Sequence, residues 1–288
     1  MTPLALAIVF VAACTHATWN LAAKRSGGGL PFVCLSNLIG LGFYAPVVAV
    51  YWWWRPPVLP AGTLLVILGS GILKTTYSLL LQRAYRSGDL SLVYPLARGT
   101  GPLLSTLAAV IVFGERPTAL ALAGGAIIVA SVFYLTGGAS LWHQSRAHLR
   151  TGVLFGLASG LCIAGYTVWD QRAVSHLKLP PVLYDCGTSI VMFVLLAPSA
   201  WQRRAEVARE WREHRSNAAI VGTFGAVGYV LILTAMSFTP VSYIAPAREI
   251  SIVVGAFLGA KLLGEADARR RLLAAGAMAA GIVALALG

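Results

Sequence analysis

The sequence predicts an all-α integral membrane protein with ten transmembrane helices, arranged as two inverted five-helix repeats. Three observations carry that expectation. Of the 288 residues, 58% are hydrophobic and only 11% charged, with a mean hydropathy of +0.76, whereas a soluble domain carries about 25% charged residues. Polar side chains are too few to cover a water-soluble globule. Secondly, apolar stretches of the length a helix needs to cross about 30 Å of hydrocarbon, ~20 residues, recur along the chain. Thirdly, a stretch holding an embedded arginine, DLSLVYPLARGTGPLLSTLAAVIVFGERP from Asp89 to Pro117, returns as VSYIAPAREISIVVGAFLGAKLLGEA from Val241 to Ala266. Arg98 and Arg248 are 150 residues apart (248 − 98), and so are Glu115 and Glu265 (265 − 115).

The spans fall at 3–23, 31–54, 62–84, 90–113, 117–136, 151–171, 181–200, 218–238, 241–263 and 269–287. Helix is the expected form for each, because an open sheet edge in lipid leaves backbone groups unpaired. The first span follows MTPLALAIVF, which has no basic stretch ahead of its apolar run and so reads as a retained helix. Short connections rich in glycine, proline and charge separate the spans: SGGGLP, RPPVLPAG, RSGD, GERP and HLKLPP. Two connections are longer. Residues 137–150 link a first repeat, 3–136, to a second, 151–288, and WQRRAEVAREWREHRSN precedes the eighth span. An amphipathic surface helix fits that last segment, with Arg209 and Glu213 one turn apart, but a solvated face is the expectation.

The 150-residue offset runs through most of the chain: Trp19 matches Trp169, Ala23 matches Ala173, Pro31 matches Pro181, Phe43 matches Phe193 and Ser87 matches Ser237. Each copy holds five spans. Five is odd, so the second copy enters the bilayer upside down relative to the first. Inverted repeats are an architecture of secondary transporters, whose sites lie near the midplane where the repeats meet. The glycines and alanines of LALAGGAIIVAS and AAGAMAAGIVALAL allow close helix approach, so the fifth and tenth spans are expected to pack together.

Charge in the loops sets an expectation for orientation. With the N-terminus inside, only Arg55, Arg116, Arg172 and Lys178 face the cytoplasm. With it outside, Lys24, Arg25, Arg83, Arg86, Arg146, Arg150, Arg203, Arg204, Arg209, Arg212, Arg215, Lys261, Arg269, Arg270 and Arg271 do. Fifteen against four favours both termini outside. The same distribution accounts for the formal charge of +12 without nucleic acid, since no basic cluster outside the spans is interleaved with aromatics. Cys14, Cys34, Cys162 and Cys186 all lie in apolar stretches without metal-ligand spacing, and read as buried free thiols.

Three cations sit inside the spans. Arg98 lies about 12 Å into its span, where half the hydrocarbon is about 15 Å. Arg248 reaches a similar depth from the opposite face, and Lys74 falls near the same level. Each costs roughly 2.5–3.5 kcal/mol at a helix centre, so lipid-facing placement is disfavoured. Set against the embedded acids Glu249 and Asp170, the three cations leave a surplus of one positive charge (3 − 2). A surplus guanidinium in a wet chamber suits a carboxylate or phosphate, while pairing of these cations with internal acids is the plain structural alternative. Polar and aromatic residues share faces with them at helical spacing: Ser91, Tyr94, Arg98, Gly101, Pro102 and Ser105; Arg248, Ser251, Gly255 and Gly259; Lys74, Tyr77 and Ser78; His16, Trp19, Asn20 and Ala23; and Tyr166, Trp169, Asp170 and Ala173. The candidate substrate residues are therefore Arg98, Arg248, Lys74, Trp19, Trp169, Tyr77, Tyr94, Asn20 and Ser105, with interhelical packing the alternative for each. His16, Glu249 and Asp170 are candidates for proton coupling. Glu115 and Glu265, beside glycines at span ends, read as helix-to-loop contacts.

Ten spans in two copies, with TGPLLSTLAAVIVFGE in the first and SIVVGAFLGAKLLGE in the second, resemble the drug/metabolite transporter superfamily, EamA type. The family's signature runs thirteen residues from a proline to a Gly-Glu, as Pro102 to Glu115 does (115 − 102); the second copy departs, with Ile252 in the proline's place. The resemblance implies a transporter in the bacterial inner membrane exporting amino acids or related small metabolites, which the embedded cations narrow to anionic or zwitterionic ones. It also implies no bound cofactor and termini on the cytoplasmic side, the reverse of what the loop charges favour. It supplies no universal binding residue. A flippase for a lipid-linked anionic molecule is the alternative reading of the same arginines. An enzyme is not expected: no HExxH, P-loop or Rossmann pattern is present, and the embedded His16 has no evident serine or carboxylate partner. The partners expected are a small-molecule substrate and the bilayer, the chain acting as a monomer or homodimer, with no metal.

Overall fold

A computed structural model describes residues 1–26, 29–86, 90–136, 146–252, 254 and 268–288, omitting the side chains of 24, 82–86, 90–96, 135–136, 146–152 and 268–272. All regular structure among these residues is helical: α1 Pro3–Arg25, α2 Leu30–Trp54, α3 Thr63–Arg86, α4 Leu90–Phe113, α5 Ala119–Thr136, α6 Arg146–Gln171 with a π-helical turn at Arg172–His176, α7 Pro181–Gln202, α8 Arg204–Met236, α9 Val241–Ala247 and α10 Ala268–Leu287. The breakers act where the sequence sets them. Prolines occupy the first turns of α2 and α7, where no amide donor is missed. Gly114 stops α4 in the left-handed region, at φ 65°.

The protein spans a membrane many times. Among the described residues six helices are long and apolar enough to cross: Pro3–Ala23, Leu30–Trp54, Thr63–Leu81, Val153–His176, Pro181–Gln202 and Arg204–Met236; shorter apolar helices occupy Ala97–Phe113, Ala119–Tyr134 and Leu273–Leu287. The outer surface is correspondingly apolar, with Trp53, Trp54, Leu65, Ile111, Leu154 and Leu161 exposed. Small buried residues and aliphatics such as Ala109, Ala121, Ile128, Val132, Leu233 and Ile244 fill the interior.

The closest-packed helix pairs are α4 with α6, α1 with α8, α5 with α10, α2 with α8 and α7, and α3 with α6 and α7. Adding five to a helix number turns α1–α8 into α6–α3 and α2–α8 into α7–α3, while α2–α7 and α5–α10 map onto themselves. Glycine sets two of these approaches. A Cβ on Gly124 of α5 would stand 2.5 Å from the Gly281 carbonyl of α10, and one on Gly222 of α8 would stand 2.4 Å from the Ser36 carbonyl of α2. The fifth and tenth spans thus pack as the sequence predicts.

Two elements differ from expectation. The segment before the eighth span is helical: α8 begins at Arg204 and kinks at His214, whose φ is −128°. Val207 packs beside Phe32, Leu35 and Ala218, and Glu210 meets the His214 ring at 2.8 Å, so one face is anchored while the arginines stay exposed. The ninth span is not one continuous helix over its described part. Helix α9 stops at Ala247, and tight three-residue bonds follow, Glu249 N–H to Pro246 O at 3.0 Å and Ile252 N–H to Glu249 O at 2.9 Å. Pro246 lies just ahead of this break.

Candidate functional site

Five helices converge on Lys74 of α3. Its ammonium lies 3.1 Å from Asp185 Oδ1 and 3.4 Å from Asp170 Oδ2, and it donates to Thr188 Oγ1 at 2.9 Å. Hydroxyl groups complete both carboxylates. Asp170 accepts from Ser70 at 2.5 Å, from Tyr184 at 2.6 Å and from Tyr229. Asp185 accepts from Tyr44. Helical geometry makes this possible: Ser70 lies one turn before Lys74 on α3, and the adjacent Tyr184 and Asp185 of α7 reach different members of the cluster. Asp170 is fully buried, and 8% of the Asp185 side chain is exposed.

The ring of Tyr229, on α8, joins this cluster to a second one. Lys74 Nζ stands 4.3 Å from the ring centre and the Arg248 guanidinium 5.6 Å from it, both within cation–π range. Arg98 Nε lies 3.1 Å from Glu249 Oε2, and its Nη2 donates to Ser251 at 3.1 Å. Arg98 and Glu249 are buried. Arg248 is only partly buried, and no carboxylate of the described residues comes within ion-pair distance of it. The break after α9 aims consecutive residues apart: Glu249 turns to Arg98, while Arg248 turns to Tyr229.

His16 lies within electrostatic range of Arg98 and Arg248. Its Nδ1 is 2.9 Å from the Asn20 amide, and Trp19 stands edge-on at 4.7 Å. Tyr77 meets Tyr166 at 6.1 Å, and Tyr166 meets Tyr229 at 6.3 Å, a ladder of three rings. Lys74, Arg98, Arg248, Glu249, Asp170, Tyr77, His16, Asn20 and Trp19 therefore gather around two linked charge clusters. Trp169 stands elsewhere: it is 42% exposed, donates to the Val66 carbonyl at 2.8 Å, and covers Gly69. Ser105 is buried and donates to the Gly101 carbonyl of its own helix at 2.8 Å. The side chain of Tyr94, with Gly255, Gly259, Lys261 and Glu265, lies outside the described residues.

The charge count changes. Asp185, omitted from the inventory of embedded acids, brings the balance of Lys74, Arg98 and Arg248 against Asp170, Asp185 and Glu249 to zero (3 − 3). The charges are nevertheless separated. The Lys74 cluster carries one cation and two acids, and the arginine cluster two cations and one acid. Tyr44, Ser70, Tyr184, Thr188 and Tyr229 were also missed. For Ser70 and Thr188 the signal was faint, since a serine or threonine hydroxyl in an apolar span often bonds its own helix, as Thr18 and Thr75 do here.

All four cysteines are free. Among the described residues no group of three His, Cys, Asp or Glu side chains is placed to share a metal ion. The described chemistry is that of paired charges and hydroxyls, suited to holding ions or polar solutes.

A search of curated proteins gives no match. A solved crystal structure, described only as that of a protein, is similar over 98% of this chain and 98% of its own, with a TM-score of 0.77 and 18% identity. That likeness concerns the fold. Residues 150–287 match the EamA-like transporter family, and with its many apolar helices the chain is similar to membrane transporters of the EamA type in the drug/metabolite transporter superfamily.

Proposed function

We propose that the chain is a secondary transporter that exports amino acids or related small anionic or zwitterionic metabolites across the bacterial inner membrane. It works by alternating access between two inverted five-helix halves, without a cofactor, as a monomer or homodimer. The partly buried Arg248 carries this reading. It is a guanidinium at membrane depth with no described carboxylate at ion-pair distance and an aromatic face beneath it. Such a group offers two parallel donors to an incoming carboxylate. Arg98, held by Glu249 and Ser251, supports it electrostatically, and Glu249 supplies an acid for a substrate ammonium.

The ten-span architecture has independent support. The Met1 amine meets the Ala286 carbonyl at 2.9 Å, so the start of α1 and the end of α10 lie together, as an even number of crossings requires. Among the described residues the α1, α2, α3, α7 and α8 contacts and α5 with α10 exchange under a step of five, while α4 with α6 has no such counterpart. In orientation the loop charges lead, putting the arginine-rich start of α8 in the cytoplasm and both termini outside.

A stabilisation screen of the purified protein tests the reading, using amino acids, other carboxylates and phosphorylated metabolites, repeated on Arg98→Ala and Arg248→Ala. Anions or zwitterions should raise the melting temperature, and Arg248→Ala should abolish the shift. Hits confined to neutral or cationic compounds, unaffected by either change, would overturn it.

A further inference from the structure

The transport reading leaves the Lys74 cluster without a task. Two carboxylates and one ammonium meet in the interior, one positive charge short of balance. An uncompensated charge at membrane depth is expensive. The groups facing the carboxylates are Lys74 from α3, Tyr44 from α2, Tyr184 from α7 and Tyr229 from α8; Tyr166 of α6, Cys186 of α7 and Arg248 stand in the next layer. None of the neutral groups supplies the missing charge. Arg248 makes no ion pair with either aspartate among the described residues, and Tyr229 lies between it and Asp170.

We propose that Lys74, Asp170 and Asp185 form a proton-binding site, with the exchangeable proton carried on Asp185. Hydrogen-bond bookkeeping selects the residue. Asp170 is surrounded by donors, the Ser70, Tyr184 and Tyr229 hydroxyls and the Lys74 ammonium. A proton added there would face donors on every side, and at least one hydroxyl would have to turn away. Asp185 has fewer donors, Tyr44 and Lys74, and the Thr188 hydroxyl stands 3.4 Å from its Oδ1. Thr188 Oγ1 gives its own hydrogen to the Asp185 carbonyl at 3.0 Å and accepts from Lys74 with one lone pair, which leaves its second lone pair to accept from a protonated carboxyl. Asp185 is also the more exposed of the two acids.

The step forms one O–H bond on Asp185, with the proton drawn from water on one side of the membrane and returned to water on the other; no electrons move. Protonation removes one of the two carboxylates that hold Lys74 and leaves a neutral Lys74–Asp170 pair. Tyr229 bonds that pair's aspartate and lies under both Lys74 and Arg248. It therefore relays the change in charge to the guanidinium assigned to substrate. Proton binding is thereby linked to transport, an inference that rests on the transport reading, although the site itself does not.

Infrared difference spectroscopy on the full chain in lipid nanodiscs tests the site without any substrate. A pH change should raise a C=O stretch from a carboxyl group shielded from water. Asp185→Asn should remove it. Asp185→Glu, which keeps the acid, should shift its frequency, and Asp170→Glu should not. Lys74→Gln, leaving two carboxylates without a cation, should keep the band at every pH. Arg248→Ala should leave the titration in place while removing the stabilisation by amino acids, so failure of the substrate site and failure of the proton site read differently. A wild-type spectrum without a titrating band would overturn the proposal. So would a band that follows Asp170→Glu, or one lost with Glu249→Gln and kept in Asp185→Asn.

Discussion

The Glu115 carboxylate reaches 126 residues along the chain to accept the Val241 amide at 2.9 Å. Its other oxygen accepts from Ser242, also at 2.9 Å. These amides open α9, so a negative charge meets the positive end of a helix whose far end carries Arg248 and Glu249. Gly114 makes the reach possible by halting α4 one residue earlier. Replacing Glu115 with Ala should cost about 1–2 kcal/mol, the range for a lost N-terminal cap strengthened by charge. Glu115→Gln should cost less, because one carbonyl oxygen survives. Thermal denaturation of the purified variants in detergent checks the order; an unchanged Ala variant would contradict it.

Lys74 and Asp185 should respond unequally to substitution. Lys74→Met leaves two buried carboxylates facing each other and should destabilise by about 3–5 kcal/mol. Asp185→Asn leaves a one-to-one pair with Asp170 and should be much milder. Adding Asp185→Asn to Lys74→Met should restore part of the loss. Melting temperatures of the three variants decide the matter, and equal damage from the two single changes would count against the charge inventory.

Close helix approach at Gly124 and Gly281 makes a steric prediction. Gly124→Val must push backbone away from backbone, since its Cβ would fall 2.5 Å from the Gly281 carbonyl, at about 1–3 kcal/mol or more. Gly276→Ala, on α10 with no atom within 4 Å of the added carbon, is the control and should be silent. Expression level and monodispersity on size exclusion report both.

The two sides of the membrane should label oppositely. In cells expressing Arg209→Cys or Lys178→Cys, with the native cysteines replaced, an impermeant maleimide should modify position 178 from outside and spare position 209. The reverse pattern would put the termini in the cytoplasm, as the family resemblance implies.

Much of this was legible in the chain. Span positions followed from hydropathy, and α2, α4, α7 and α10 begin within a residue of where periodicity and breakers placed them. Depth alone brought Lys74, Arg98 and Arg248 to one level. Partners were harder, because they depend on which helices touch. Asp185 lies just inside the Pro-Pro start of α7, where an acid reads as a helix-end residue; only the packing of α7 on α3 turns it toward Lys74. Correspondence at the 150-residue offset does not carry over to contacts. Trp19 and Trp169 match at the offset, yet one touches His16 and the other caps Gly69. The long α8 was missed because its first turns are almost wholly polar, and Val207 is one of the few apolar anchors there.

At the 150-residue offset, Lys74, Asp170 and Asp185 correspond to Phe224, Asn20 and Leu35. Under the proposed two-half architecture only one set of helices carries the ionisable trio. If the halves trade conformations during a cycle, inward-facing and outward-facing forms are unequal in energy, and the carrier rests with one door shut. Symmetry of shape then provides the reversible motion, and asymmetry of charge gives it a default position.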